Sequence, residues 1–106
     1  MNATATIGRF TLKLSPLKRS DLPGAQKAFH GLAVAQLAPF GSAAWFKAYS
    51  DALGFVFIAA RPNHRGLSFA ALDDEAEPGE IVAAFKELSK IMRAKYGRVW
   101  EWPGNE

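Results

Sequence analysis

The 106-residue chain contains no cysteine, and this absence excludes several functions at once. A chain without thiols forms no disulfide, holds no metal through thiolates and has no cysteine nucleophile. Only two histidines are present, His30 and His64. His30 has no imidazole or carboxylate three or four residues away, and His64 lies in a basic turn. We therefore expect no metal and no cofactor, and a structural or surface role for both histidines.

The chain also lacks long apolar runs and catalytic motifs. Its most apolar stretch, residues 53–60, is far shorter than the roughly 20 residues that a membrane-spanning helix needs. The first six residues are small and polar and predict no secretory signal. Residues 73–79 read as an acidic loop whose carboxylates share one environment, whereas acid–base catalysis needs two different ones. Phosphate-binding loops and nucleophile elbows are missing as well. These observations predict a protein that is neither membrane-bound nor an enzyme.

The residues that are present suffice for one compact domain. The chain is 49% hydrophobic and 22% charged, which is typical of a globular protein of this length. We predict one helical domain over residues 1–97 and a C-terminal tail over residues 98–106.

The N-terminal pattern predicts a β-strand. Between residues 7 and 14, apolar and polar side chains alternate: Phe10, Leu12 and Leu14 on one side, Arg9, Thr11 and Lys13 on the other. This period of two indicates a half-buried strand, which Pro16 ends. A single strand is not stable by itself, so we expect it to pair with another segment as a hairpin or to lie across the helices as an arm.

The rest of the chain predicts a mostly α fold with two long helices and a shorter middle helix. The first helix begins near Ser20 and Asp21, which are typical caps, and ends before Pro39 and Gly41. Its apolar stripe consists of Leu22, Phe29, Leu32, Ala33 and Leu37. Residues 67–72 fit either a short helix capped by Ser68 or a short strand. The last helix begins near Pro78, ends at Gly97 and buries Ile81, Phe85, Leu88 and Met92.

The helix that follows Ser42 is apolar on more than one side. One stripe consists of Trp45, Phe46, Tyr49, Leu53, Val56, Phe57 and Ala60, and Phe55 and Ile58 lie on the opposite side. A helix that is apolar nearly all round is central in its domain or is covered by a partner. We therefore expect self-association.

Charge is distributed unevenly along the chain. Through Gly66 there are eight basic and two acidic residues, a net charge of +6, and from Leu67 onward five basic and eight acidic residues give −3. Such a dipole suits an acidic partner or head-to-tail stacking, although solvated charged faces explain it equally simply. The basic clusters are small, and no RNA-binding strand or recognition helix is evident. We do not expect nucleic acid to be the main partner.

Large aromatic and aliphatic side chains are the candidates for partner binding, because interface hot spots favour them. The set is Trp45, Tyr49, Phe55, Ile58, Trp100 and Trp102. Two alternatives remain open at this point. Trp45 and Tyr49 also fit a domain core, and the two tail tryptophans, on one side of any extended strand, fit docking onto the domain as well as binding a partner.

The layout of the chain resembles the small tail assembly chaperones of long-tailed bacteriophages. The resemblance covers residues 7–96 and lies in the order of elements and the apolar pattern, without an invariant motif. The segments that carry it are Gly8-Arg9-Phe10-Thr11-Leu12-Lys13-Leu14, Ser20-Asp21-Leu22, Arg61-Pro62-Asn63-His64-Arg65-Gly66-Leu67-Ser68, Leu72-Asp73-Asp74 and Gly79-Glu80-Ile81-Val82.

This resemblance implies a non-enzymatic helical protein that coats the tape-measure protein in the cytoplasm of an infected host cell and often self-associates. It also implies a longer product of ribosomal frameshifting, whose extra domain recruits the tail-tube subunit. Two other classes also fit the residues, a phage-encoded inhibitor that binds a host protein and a nucleic-acid-binding accessory domain. A tape-measure gene immediately downstream would favour the chaperone.

The coding sequence tests the frameshift that the resemblance implies. Slippage requires a heptamer of the form X XXY YYZ, and Pro103-Gly104-Asn105 can be encoded as CCG GGA AAC, which contains G GGA AAC in the required phase. We expect sequencing of the gene to find this heptamer and an open −1 frame beyond Glu106. A GGC or GGT codon at Gly104, or a closed −1 frame, would contradict the expectation.

Overall fold

The structure, a computed structural model, describes residues 2–35, 37, 39–97 and 100. Within these residues the fold is mostly α, with an N-terminal antiparallel hairpin, as the sequence predicts. The elements are β1 (Ala3–Ile7), β2 (Phe10–Leu14), α1 (Leu22–Ala35), α2 (Ala43–Ala60), α3 (Phe69–Glu75) and α4 (Pro78–Tyr96), with 3₁₀ turns at Arg19–Asp21 and Arg61–Asn63.

The alternation suggested one continuous strand over residues 7–14, but the structure divides this segment between two strands. Ile7 pairs with Phe10 across a two-residue turn, and the register continues to Ala3 opposite Leu14. Gly8 has φ +55°, the conformation that two-residue hairpin turns need and that glycine adopts at low cost. The strand therefore finds its partner in the residues that precede it.

Acidic residues from the second half of the chain hold this hairpin turn. The Glu80 carboxylate accepts from the Gly8 N–H at 3.0 Å, and Glu75 accepts from the Arg9 N–H at 2.8 Å. The Arg9 guanidinium also pairs with Glu75 at 2.7 Å. Residues 73–75 belong to α3, so the prediction of a loop there is wrong. Part of the acidic run serves to attach the hairpin.

The outer edge of β2 is covered by the turn that follows α2. The Lys13 N–H donates to Nε2 of His64 at 2.8 Å, and the Asn63 amide donates to the Lys13 carbonyl oxygen at 2.9 Å. These bonds satisfy backbone groups that a strand edge leaves unpaired. They give His64 a structural role.

Helix boundaries follow local capping signals. Ser42 accepts from the Trp45 N–H at 3.2 Å and starts α2, and Ser68 accepts from the Ala71 N–H at 3.1 Å and starts α3. The sequence allowed either a helix or a strand for residues 67–72, and the structure has a helix there that begins at Phe69. Glu77 and Glu80 form a capping box at the start of α4. Gly97, with φ +61°, follows the end of that helix.

Helix α2 is the central element, because it contacts α1, α3, α4 and β2. Neither this helix nor any other among the described residues has the length and the apolar character that crossing a membrane requires. The main core side chains that are almost fully buried are Ile7, Leu12, Leu14, Leu17, Leu53, Val56, Leu72, Phe85, Leu88 and Met92.

The apolar stripe of α1 differs from the predicted one. The buried positions are Leu22, Ala25, Ala28, Leu32 and Ala35, whereas Ala33 is exposed. Leu37 lies beyond the helix and is 88% exposed. Leu37 stands in a turn, so it is not held against the core as the stripe suggested.

A pair of phenylalanine substitutions tests this description of the core. Phe85 is 1% exposed and Phe46 is 59% exposed. Replacing Phe85 by Ala should lower the free energy of unfolding by about 3 to 5 kcal/mol, because it leaves a cavity. The matched Phe46→Ala change should cost less than about 1 kcal/mol. Chemical denaturation measures both, and equal losses would contradict the assignment of Phe85 to the core.

Candidate protein-binding surface

Exposed apolar side chains concentrate where α1 turns into α2. Among the described residues, five large apolar side chains are exposed, and four of them lie between positions 34 and 46. These four are Val34, Leu37, Phe40 and Phe46, which we call the apolar end. Their exposed fractions are 53%, 88%, 85% and 59%. A cluster of large apolar groups in water is unusual for a monomer and typical of an interaction surface.

Aromatic rings connect the apolar end to the core. The Trp45 ring lies 4.7 Å from Phe40, 5.0 Å from Phe46 and 4.7 Å from Tyr49, measured between ring centroids. Trp45 itself is 9% exposed. The Ser42 side chain accepts a hydrogen bond from the Trp45 N–H, so the cap fixes the backbone that carries this nearly buried ring. Phe40 and Phe46 thus pack on a ring that is itself nearly buried.

A recess lies beside this aromatic cluster, between α2 and the start of α4. Its volume is about 550 Å³. Phe46, Tyr49 and Ser50 line one side, and Ala76, Pro78 and Ile81 line the other. The recess has an apolar lining with Asp73 at its margin, so it suits an apolar side chain of a partner rather than an ion.

A second concavity, which we call the α1–α2 groove, runs between those two helices. Its volume is about 630 Å³. Four positions on each helix form its walls and floor: Gly24, Ala28, Gly31 and Ala35 on α1, and Ala44, Ala48, Asp51 and Phe55 on α2. Each set follows a spacing of four, three and four residues, which keeps it on one side of its helix. Val34 also lines the groove and links it to the apolar end.

Glycine and alanine give the groove its depth. A Cβ atom built on Gly31 would lie 3.9 Å from the Ala48 Cβ and meet nothing closer. A Cβ built on Gly24, in contrast, would lie 2.7 Å from Cζ of Phe55. The Phe55 ring therefore closes the groove at the Gly24 end, and the groove is open in its middle.

Charged side chains stand at the margins of the α1–α2 groove. Lys27 lines it from α1 and Lys47 lines it from α2. Lys47 pairs with Asp51 at 2.9 Å, whereas no carboxylate in the described part of the chain pairs with Lys27. One positive charge thus remains uncompensated beside an apolar floor.

The six side chains named as partner-binding candidates lie in different places. Trp45 and half-buried Tyr49 belong to the aromatic cluster, half-buried Phe55 covers Gly24, and Ile58 is 42% exposed. Trp100 is 2% exposed and packs against the domain, with its ring centroid 6.1 Å from Phe29 and 6.5 Å from Phe85. Trp102 lies outside the described residues.

Sequence reasoning missed the four residues of the apolar end. It assigned Leu37 and Phe46 to buried stripes and left Phe40 and Val34 without a role. A signal was available for Phe40, because a residue between Pro39 and Gly41 stands in a turn at the surface. Phe46 was detectable too: it follows Trp45 directly, and adjacent helical residues point about 100° apart.

The ionisable groups give no indication of a metal site. Within the described residues, no group of three or more His, Asp or Glu side chains could hold a metal ion. Glu75, Glu77 and Glu80 instead accept hydrogen bonds from backbone N–H groups of the hairpin and of α4. What the arrangement offers chemically is apolar surface with a positive margin.

Comparisons with known protein families, with curated proteins and with solved structures found no match to this chain.

Two glycine substitutions in one helix test the shape of the α1–α2 groove. Gly31→Ala should raise the free energy of unfolding by up to about 1 kcal/mol, because alanine favours helix and the new methyl group has room. Gly24→Ala brings the same helical preference but forces the Phe55 ring to shift, so it should stabilise less or destabilise. Thermal and chemical denaturation measure both. Equal gains would mean that Phe55 does not close the groove.

Proposed function

We propose that the protein is a non-enzymatic tail assembly chaperone that binds the tape-measure protein of a long-tailed bacteriophage in the cytoplasm of the host cell. The observation that supports this most is the apolar end, where four large side chains are 53% to 88% exposed. A chaperone of this kind must cover apolar helix of another protein until assembly. Exposed apolar side chains on a stable scaffold serve that purpose.

The contacts beneath the apolar end favour a binding role over a defect in packing. Phe40 and Phe46 rest on Trp45, which is itself nearly buried, at 9% exposure. Interface hot spots are typically aromatic and lie next to pockets that accept a partner's side chain. Here the recess by Tyr49 and the α1–α2 groove flank the cluster on two sides of α2.

Self-association and recruitment of the tail-tube subunit belong to the same proposal. When the tape-measure protein is absent, the apolar end binds a second copy of the chain in its place, because both offer apolar surface. Recruitment of the tail-tube subunit requires the longer frameshift product and not the described residues themselves. The charge dipole, positive through Gly66 and negative after it, favours head-to-tail contacts at low salt.

Co-expression tests the proposal. The chain and the long protein encoded immediately downstream of it are produced together, and the complex is measured by size-exclusion chromatography with light scattering, which also gives the copy number of each chain. We expect the downstream protein to be soluble only in the presence of this chain. The double variant Leu37→Ser/Phe40→Ser should lose the complex and keep its melting temperature, because both side chains are more than 80% exposed.

The control replaces two exposed residues far from the apolar end in sequence, as in Lys90→Ser/Lys95→Ser on α4. This variant should keep the complex. If the downstream protein is soluble without the chain and no complex forms, the chaperone proposal is wrong. A complex with a host protein in its place would support the inhibitor, and retention on DNA or RNA in low salt would support the nucleic-acid-binding domain.

A further inference from the structure

We infer that the α1–α2 groove receives one amphipathic helix with large apolar residues spaced four, three and four residues apart and with carboxylates beside them. This inference rests on the proposed function and adds to it the chemistry of the partner. The inference is based on three features of the groove: two walls with the same residue spacing, a floor of small residues, and positive charge at the margin.

The two walls are in antiparallel register. Phe55 lies over Gly24, and Ala48 is the neighbour of Gly31, so a step of seven residues along α1 corresponds to a step of seven back along α2. The same register sets Ala28 opposite Asp51 and Ala35 opposite Ala44. The groove thus has regularly spaced holes between paired positions, as in helix bundles where each large side chain of one helix inserts between four residues of its neighbours.

The floor leaves space that this chain does not fill. Of the eight positions, six are glycine or alanine, and the middle of the groove accepts a methyl group at Gly31 without a close contact. The positions from Gly24 to Ala35 span about 16 Å of helix, or three turns. A partner helix of about that length presents its apolar stripe to the whole groove, with leucine-sized side chains above the glycines and alanines.

The lysines beside the groove determine which charge favours a partner helix. Lys27 and Lys47 stand on opposite walls, and only Lys47 has an ion pair with a described carboxylate, Asp51. A helix with glutamate or aspartate beside its apolar stripe places negative charge next to Lys27, which pairs with no described carboxylate, whereas Asp51 already neutralises Lys47. A helix flanked by lysine or arginine places like charges next to Lys27, which is unfavourable.

A second copy of this chain does not supply such a helix from its described residues. Its exposed large apolar side chains on helices are Val34, Phe46 and Ile58, and no helix carries three of them at the required spacing. The exposed positions of α4 are mostly charged, as at Lys86, Lys90 and Arg93. The occupant is therefore a helix of another protein.

The experiment uses two stapled helical peptides of 15 residues, each with leucines at positions 2, 6, 9 and 13. One carries glutamate beside the leucines and the other carries lysine at the same positions. Fluorescence anisotropy measures the affinity of each for the full chain, and amide chemical shifts map the contact. We expect the acidic peptide to bind at least about fivefold more tightly and to shift the amides of Gly31, Ala35 and Ala48.

Two variants separate the groove from its margin. Gly31→Leu fills the groove and should abolish binding of the acidic peptide, whereas the control Ala94→Leu, at an exposed position of α4, should not change it. Lys27→Glu leaves the groove open and should weaken the acidic peptide and strengthen the basic one. This second variant keeps the test valid if Gly31→Leu does not fold.

The outcomes are distinct from those of the co-expression experiment. Equal affinity of the two peptides, no binding of either, or shifts confined to Trp45 and Phe46 would each overturn the inference. If Gly31→Leu loses the acidic peptide but keeps the complex with the downstream protein, the chaperone proposal stands and the groove is not its binding site. If the acidic peptide binds and no complex forms, the groove stands and the chaperone proposal fails.

Discussion

Helix α2 packs against α1, α3, α4 and β2. The positions of these elements depend on how closely the side chains of α2 allow them to approach its backbone. Its buried residues include Ala52, Ala59 and Ala60 beside Leu53 and Val56, so neighbouring backbones come close on several sides without large side chains between them. Close packing of this kind stabilises by dispersion and by burial of apolar surface. The rings of the helix lie in both of its halves, with Trp45, Phe46 and Tyr49 in the first and Phe55 and Phe57 in the second. Among these rings Phe46 is the most exposed, at 59%, and it contributes to the apolar end.

Local signals in the sequence predicted a good part of the fold. Ser42, Ser68 and Gly97 act within one helical turn, so their effect does not depend on the tertiary structure. The hairpin was less visible, because period-two alternation continues on both sides of a two-residue turn. Ile7 is out of phase with Phe10 in the sequence, and that break beside Gly8 marked the turn. The attachment of the turn to Glu75 and Glu80 joins residues more than 60 positions apart, a pairing that no single-sequence pattern contains.

The surface was harder to predict than the core, for a physical reason. A helical stripe defines a sector of about 100° or more, and only tertiary packing decides which edge of that sector is covered. Trp45 and Phe46 are neighbours in sequence, yet one is 9% and the other 59% exposed. Gly24 and Gly31 lower the local preference of α1 for helix, because glycine costs about 1 kcal/mol there. In the folded chain they form part of the floor of a groove, so the residues that lowered local preference are those that shape the surface.

The two concavities lie on different sides of one helix, and this arrangement joins the apolar end to both. Near its start, α2 presents Ala44 and Ala48 to the α1–α2 groove and Phe46 and Tyr49 to the aromatic recess. Both surfaces therefore depend on the conformation of the first two turns of α2, which the Ser42 cap fixes through the Trp45 N–H. Val34 lines the groove, and the Leu37 N–H donates to the Val34 carbonyl oxygen at 3.0 Å, so a partner helix that continues past Val34 meets Leu37 next. Because these exposed side chains contribute little to folding, partner contacts at this end can change by mutation while the core around α2 stays intact.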